Sequence, residues 1–311
     1  AYAIGNAAPG TRFALTSKDK IVVTEMEHHA NLIPWQQLAA RTGAQLSWFE
    51  VTPDGRLDLS NINSVITENT KVVALTHQSN VLGTIIPLKA IVARAHEVGA
   101  VVVLDACQSA PHMPIEVKEL DVDFLVFSGH KALGPTGVGV LWSSELDDLP
   151  PFLYGGSMIE TVTMTSATWA PAPRKFEAGV PNMAQAVGLG AALDYLMGIG
   201  MHEVHRHEVA LTKYLIDKLQ QISDLKIVGP TSIDSRGAAV SFTVGEIHPH
   251  DLGQYVDSQG VAVRTGHHCA WPLTRKLGVP ATTRASLYLY NEESDCDALF
   301  DAILGAQKYF A

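Results

Sequence analysis

The segment LKAIVARAHEVGAVVVLDACQS, residues 88–109, carries two hydrophobic periods back to back. Leu88, Ile91, Val92, Ala95 and Val98 recur at the three-and-four spacing that places them on one face of a helix. Residues 100–104 then run apolar without a break, up to the polar Asp105 and Gln108. A helix that delivers the chain into a short strand, apolar on both faces, is half of a βαβ unit. Such units build a parallel sheet covered by helices on both sides.

The same reading extends in both directions. KIVVTEM (20–26), QLSWFEV (45–51), KVVALTHQS (71–79) and DFLVFSGHK (123–131) read as further strands, and GVGVLWSS (137–144) as one that pairs, after a turn, with its predecessor. From 145 to 182 no clear period survives, and a loop of that length in a compact domain usually serves a function or an interface. Helical patterns return from Met183 to Gly198 and from His202 to Ile222. KIVG, GAAVSFTV, VAVRTG and RASLYLY then read as strands, with helices over 250–259 and 294–309. The prediction is an α/β chain in two parts: a large domain over 1–199 with a mostly parallel sheet, and a smaller α+β domain over 200–311.

The 311 residues carry a net charge of −10 without a basic cluster, which argues against a nucleic-acid partner. No apolar run approaches the ~20 residues of a membrane-spanning helix, so the sequence reads as a soluble protein with no membrane partner. Cys107, Cys269 and Cys296 are odd in number and far apart, which fits a reducing, cytoplasmic compartment. The opening AYAIGNAAPG lacks the basic flank and apolar stretch of a cleavable signal; without an initiator Met, it reads as a start partway through a longer protein.

In open parallel sheets the ligand crevice lies beyond the carboxyl ends of the strands. The polar residues that close the apolar runs are therefore the candidates: His28 and His29; His77, Ser79 and Asn80; Asp105 and Gln108; Ser128, His130 and Lys131. A carboxylate at the mouth of a buried strand is costly unless a cation meets it. Alone, Asp105 would read as a structural residue capping the next helix or bridging to Lys131. Paired with a strand-end lysine, it matches what pyridoxal phosphate requires: an amine for a Schiff base and an acid that keeps the pyridine nitrogen protonated.

MEHHANLIPW, SNVLG, DACQS, SGHKALGPTGVGVLW, GGSMI, FEAGVPN, RTGHHCAWP and TRASLYLYN occur in order along nearly the whole chain. In this set the chain resembles the SufS-type (group II) cysteine desulfurases and their selenocysteine lyase relatives, within the class V aminotransferases. The resemblance implies a PLP-dependent transferase of fold type I, aspartate aminotransferase-like and homodimeric. It would take sulfur from L-cysteine for iron-sulfur cluster assembly, leaving L-alanine and a persulfide. By the same resemblance Lys131 is the Schiff-base lysine, Asp105 pairs with the pyridine nitrogen, Gln108 reaches the phenolic oxygen, Ser128 and His130 hold the phosphate, and His28 stacks on the ring and acts catalytically as a proton shuttle. Asn80, Arg264 and Arg284 surround the substrate, with Arg284 taking its carboxylate, and Cys269 accepts the sulfur. Members of that family have a further N-terminal segment with a Gly-Thr-Thr phosphate-binding turn. In FEAGVPN, Val180 stands where a threonine is usual, one phosphate-binding hydroxyl fewer.

Three consecutive residues point in different directions, so His267, His268 and Cys269 are not read as a zinc site, and no metal is expected. Cys107, inside LDACQS, reads as a small buried thiol, and Cys296 as a structural one. EIHPHDLGQYVD (246–257) resembles a segment that, in relatives served by a zinc-containing acceptor of the SufU type, lends its second histidine to the acceptor. That makes His250 a candidate contact for a SufU or SufE partner. Selenocysteine lyase, cysteine sulfinate desulfinase and an inactive scaffold of the same fold are the competing expectations.

Overall fold

A computed structural model describes residues 1–311. Strands β1 (Lys20–Thr24), β2 (Gln45–Phe49), β3 (Thr70–Thr76), β4 (Val101–Asp105) and β5 (Phe124–Ser128) run parallel. β6 (Gly139–Ser143) closes the sheet antiparallel to β5, and the order is β2-β1-β3-β4-β5-β6. The connections hold α1 (Tyr2–Gly5), α2 (His29–Thr42), α3 (Ile62–Val65), α4 (Leu88–Glu97) and α5 (Val117–Leu120). The strand alternation sorts the core into two layers. Val22, Val73, Leu75, Val102 and Leu104 face Ile91, Val92 and Ala95 of α4. Ile21, Val23, Val72, Ala74 and Val103 face Trp35 and Leu38 of α2. Each such side chain taken out of water contributes roughly 1.5–3 kcal/mol, which is why these β-branched runs settle as central strands.

β1 pairs with β2 on one side while the chain returns as β3 on the other, so the crevice opens between the ends of β1 and β3. The geometry widens it. β1 stays paired with β2 through Thr24↔Phe49, whereas its ladder with β3 ends at Val22↔Val73.

Beyond β6, a small hairpin of β7 (Ile159–Val162) and β8 (Ala167–Trp169) interrupts the stretch read as irregular. Its residues are nearly all exposed, so no alternation marks them in the sequence. α6 (Met183–Ile199) and α7 (Met201–Leu219) follow. A second sheet of β9 (Leu225–Val228), β10 (Ala239–Val244), β11 (Arg264–Gly266) and β12 (Thr282–Ser286) has the order β11-β12-β10-β9. It packs with α7, α8 (Pro249–Ser258) and α10 (Glu293–Tyr309) around its own core of Leu215, Val240, Phe242, Val256 and Ile303, while α9 (Trp271–Lys276) carries Leu273 into the first core. VAVRTG contributes only its last three residues as a strand, and RASLYLY leaves the sheet after Ser286. Leu287 and Tyr288 are buried by packing outside a ladder, which an apolar run alone does not reveal.

The two sheets meet at SNVLG. The fully buried Arg236 donates to the carbonyls of Leu82 (3.1 Å), Ala239 (2.6 Å) and Pro230, and Ser241 Oγ donates to the Val81 carbonyl at 2.6 Å. Gly83, at φ 72°, leaves no room for a side chain: a Cβ there would lie 2.7 Å from the Ala239 oxygen.

Candidate active site

A cavity of about 280 Å³ lies at the carboxyl ends of the first sheet. Its wall includes His28 after β1, Thr76 at the end of β3 and Asn80 beyond it, Asp105 at the end of β4 with Cys107 and Gln108 in the turn that follows, and Ser128 at the end of β5 with His130 and Lys131 just after it. The second sheet closes it with Arg264 of β11 and Arg284 of β12. Every cofactor and substrate residue expected from the sequence is on this wall. Cys269 stands beside it, its Sγ 3.5 Å from Arg264 Nη2.

Three of the strand-end residues are elsewhere. His77 is buried with Nδ1 3.0 Å from Ser109 Oγ, and burial pushes its pKa down to about 4. Ser79 Oγ accepts from the amides of Val81 and Leu82 and so caps a turn. His29 faces the cysteine loop, where its Nε2 accepts from Trp271 N at 3.0 Å. Alternate residues of a strand point to opposite faces, so adjacent strand-end polar groups do not share one destination. Cys107 differs from its reading as a buried thiol in being only partly buried, on the cavity wall, with Sγ 3.5 Å from Ser128 Oγ. Burial, then the Asp105 charge, pushes its thiol up to about 11, which keeps it protonated at neutral pH.

Asp105 is buried, yet it has no cationic partner in the chain. Its Oδ1 accepts from the Cys107 amide at 2.9 Å, and it makes no bridge to Lys131. Neither the Lys131 amine nor the side chains of Gln108 and His130 bond any protein group. A buried carboxylate without a cation and an amine without an acid, on one wall, fit pyridoxal phosphate: a protonated ring nitrogen for Asp105 and an aldehyde carbon for Lys131. Ser128 and His130 on the same wall fit its phosphate. His28 is held by its position as the cap of α2, where Nδ1 accepts from Ala30 N at 3.1 Å. The neutral ring therefore carries its proton on Nε2. Burial, with Lys131 nearby, lowers its pKa, so the ring is uncharged at neutral pH.

Arg264 and Arg284 are direct Cα partners across β11 and β12. Like charges in that relation repel, and an anion between them relieves the repulsion. Burial, then Arg264, brings Arg284 down to about 10. Arg284 Nη1 donates to the Asn80 carbonyl at 2.6 Å, and its buried Nε has no partner. The cysteine loop is equally constrained. His268 and Cys269 have φ of 53° and 57°, a left-handed conformation that costs roughly 1–2 kcal/mol per residue. Asn80 Nδ2 to the His268 carbonyl (2.7 Å), His29 N to the Cys269 carbonyl (2.7 Å) and Cys269 N to His267 Nδ1 (3.1 Å) hold it there. His268 is buried against Thr282 Oγ1 at 2.7 Å, and burial takes its pKa down to about 3.

Residues 2–299 match the family described as Aminotransferase class-V. The chain belongs to that family. It is 59% identical over 300 residues to a probable cysteine desulfurase of Streptomyces coelicolor, covering 96% of this chain and 72% of that protein. Among solved structures, the cysteine desulfurase CsdA of Escherichia coli superposes with a TM-score of 0.93 at 35% identity, covering 99% of this chain and 76% of that one. The apo cysteine desulfurase of Thermococcus onnurineus NA1 gives 0.92 at 38%, covering 98% and 77%. The fold is thus the PLP-dependent transferase fold type I expected from the sequence.

In this class V aminotransferase, Val180 is 85% exposed in the segment before α6. His250 lies exposed at the start of α8, its ring stacked 5.3 Å from that of His248, whose Nδ1 caps the helix. Thr76 and the buried Glu27 behind it were not singled out in the sequence. The signal for Glu27 was an acid between an apolar strand and a histidine pair.

Proposed function

We propose that the chain is a PLP-dependent cysteine desulfurase that converts L-cysteine to L-alanine and leaves the sulfur as a persulfide on Cys269. The observation that carries this reading is the placement of Arg264: it lines the cavity of Lys131 and Asp105, and its guanidinium is 3.5 Å from the thiol of Cys269. The cofactor, when bound, supplies an electron sink for the substrate's α-carbon. The rest is the work of side chains. Lys131 takes the proton from the α-carbon and Asp105 holds the proton on the ring nitrogen. Arg284 receives the substrate carboxylate, for which a planar guanidinium is suited. His28 keeps its Nε2–H on the cavity wall, and Gln108, Ser128, His130 and Asn80 complete the cofactor and substrate contacts. The Cys269 thiolate attacks the substrate sulfur: one S–S bond forms as the C–S bond breaks, the bonding pair stays with the β-carbon, which takes a proton, and Lys131 returns its proton to the α-carbon to give alanine, while Arg264 stabilises the charge on sulfur.

The persulfide requires an acceptor. The reading extends to a protein of the SufU or SufE type, with His250 as a contact, to iron-sulfur cluster assembly in the cytoplasm, and to a division at residues 199/200 into cofactor-binding and cysteine-bearing domains. A homodimer is supported by α6, where Met183, Val187, Tyr195 and Met197 leave an apolar face exposed. No helix is long and apolar enough to cross a membrane. The test is to incubate the purified protein with pyridoxal phosphate and L-cysteine and to measure alanine, sulfide and the mass of the Cys269 peptide. Alanine with a 32-dalton sulfur adduct on Cys269 is expected. Alanine release without any adduct would transfer the chain to the lyase reading.

A further inference from the structure

Glu27 follows β1 and is 1% exposed, yet no cation faces it. Where the β1–β3 ladder ends, Thr76 N–H has no strand carbonyl to meet, and it donates instead to Glu27 Oε1 at 2.9 Å. Thr24 Oγ1 donates to the same oxygen at 2.8 Å. Asn31 Nδ2, from α2, donates to Oε2 at 2.6 Å, while Asn31 Oδ1 accepts from Trp35 Nε1 at 3.1 Å. The network thus joins β1, β3 and α2 at the floor of the crevice. Its two outlets are on the cavity wall. Glu27 precedes His28 in the chain, and Thr76 is the direct Cα partner of Asp105.

We propose that Glu27 is a positioning residue of the cofactor cavity: its carboxyl group stands in for the strand carbonyl missing between β1 and β3, and so fixes the His28 turn and Thr76 against Asp105. The proposal rests on the cofactor reading given above. Burial pushes the carboxyl up to about 8, against the hydrogen bonds from Thr76, Asn31 and Thr24, and the Asp105 charge adds to the rise. Asp105 is the charged group acting on it, and the contacts from β1, β3 and α2 are neutral. All three contacts donate to Glu27, so its carboxylate is the form they satisfy, and the variants are compared at a pH above about 8, where that form prevails.

The network prescribes its own test. Glu27→Gln keeps an acceptor for Thr24 and Thr76 but sets an amide against the Asn31 amide, donor to donor. Asn31 cannot turn over without abandoning Trp35. Exchanging both groups, Glu27→Gln with Asn31→Asp, restores every donor–acceptor pair. Pyridoxal phosphate binding, followed by absorbance, is expected to weaken on the order of tenfold in Glu27→Gln and in Asn31→Asp, and to return to near wild type in the double variant. Val92→Ala, a core truncation in α4 that lowers apo-protein Tm, is expected to leave pyridoxal phosphate affinity unchanged. Wild-type affinity in Glu27→Gln, or no recovery in the double variant, overturns the proposal. Should Glu27→Gln fail to fold, recovery in the double variant still decides. Failure of the unsubstituted chain to bind pyridoxal phosphate overturns the cofactor reading itself, and is told apart because it needs no substitution.

Discussion

Asn80 donates its side-chain amide to the carbonyl of His268 at 2.7 Å, and its own carbonyl accepts from Arg284 at 2.6 Å. One residue at the end of the β3 loop therefore holds both the strained loop of Cys269 and the guanidinium assigned to the substrate carboxylate. Asn80→Ala leaves the His268 carbonyl without its donor, a loss of about 1 kcal/mol or more where the group stays dry. Cofactor absorbance is expected to persist while persulfide formation slows by about tenfold. An unchanged rate of persulfide formation, read by mass, would show that the loop holds its geometry without Asn80.

The opposed Arg264 and Arg284 make a second expectation. A hydrogen bond to a charged group contributes about 1.5–3 kcal/mol, so Arg284→Gln should raise KM for L-cysteine by about tenfold or more. The same change removes one of two repelling cations and an unpartnered buried Nε, which offset the loss of the donor to the Asn80 carbonyl, so the substrate-free protein should change little in thermal stability. A higher KM with unchanged Tm supports an anion site. A large fall in Tm with unchanged KM would make Arg284 structural.

Lys131 and Asp105 are separable. Lys131→Ala is expected to abolish turnover and the yellow absorbance of bound cofactor, because no other lysine lines the cavity. Asp105→Asn should still bind cofactor but lose activity by at least about a hundredfold, since a neutral amide does not hold a proton on the ring nitrogen. Normal turnover in either variant, measured as alanine formed, would remove that residue from the assignment.

How far the sequence reaches is clearest at β4 and β11. VVVLD is fully buried, both of its faces are apolar, and its end is a site residue, so one run of letters encodes strand, core and chemistry together. VAVRTG carries the same apolar signal, yet only residues 264–266 join a ladder, because strand length there depends on a partner, β12, that arrives eighteen residues later. His77 and Asp105 show a similar limit. Both end apolar runs, but one turns to Ser109 and the other to the cavity, and that choice is made by the strand face and the local turn. The role of Glu27 was hidden because it depends on where two ladders part, and a ladder's end is not a property of either strand alone.

Acid sensitivity follows from His77. Its pKa falls from 6.5 to about 4 on burial, so between those values the unfolded chain binds a proton that the folded one does not. Stability therefore falls as pH falls through this window, by about 1.4 kcal/mol per pH unit for one group. Glu27, raised from 4.5 to about 8, acts in the opposite sense, its folded form losing stability as pH rises. His77→Gln keeps a partner for Ser109 and removes the ionisation. Its Tm is expected to decline less steeply than wild type between pH 6.5 and 4, and parallel declines would show that His77 is protonated alike in both states.

The two cysteines nearest the chemistry give the sharpest separation. Cys107 lies on the cavity wall but beside the Asp105 carboxylate, and burial with that charge keeps it a thiol. Cys269 has an arginine at 3.5 Å and a loop that fixes its backbone on both sides. A sulfur acceptor must attack as a thiolate, so proximity to the cofactor favours Cys107 while electrostatics favours Cys269. Cys269→Ser is expected to keep cofactor absorbance and substrate binding yet to form no persulfide and release no sulfide from L-cysteine. Cys107→Ser should leave the sulfur adduct on Cys269 intact, with activity within about threefold of wild type, a change of well under 1 kcal/mol. Selenocysteine separates the neighbouring activities, because selenium leaves more readily than sulfur and has less need of a nucleophile. Selenocysteine cleavage that survives in Cys269→Ser while L-cysteine turnover is lost would fix the thiol's role as sulfur acceptor. Undiminished L-cysteine turnover in that variant would show that the thiol is dispensable and that the enzyme works as a lyase.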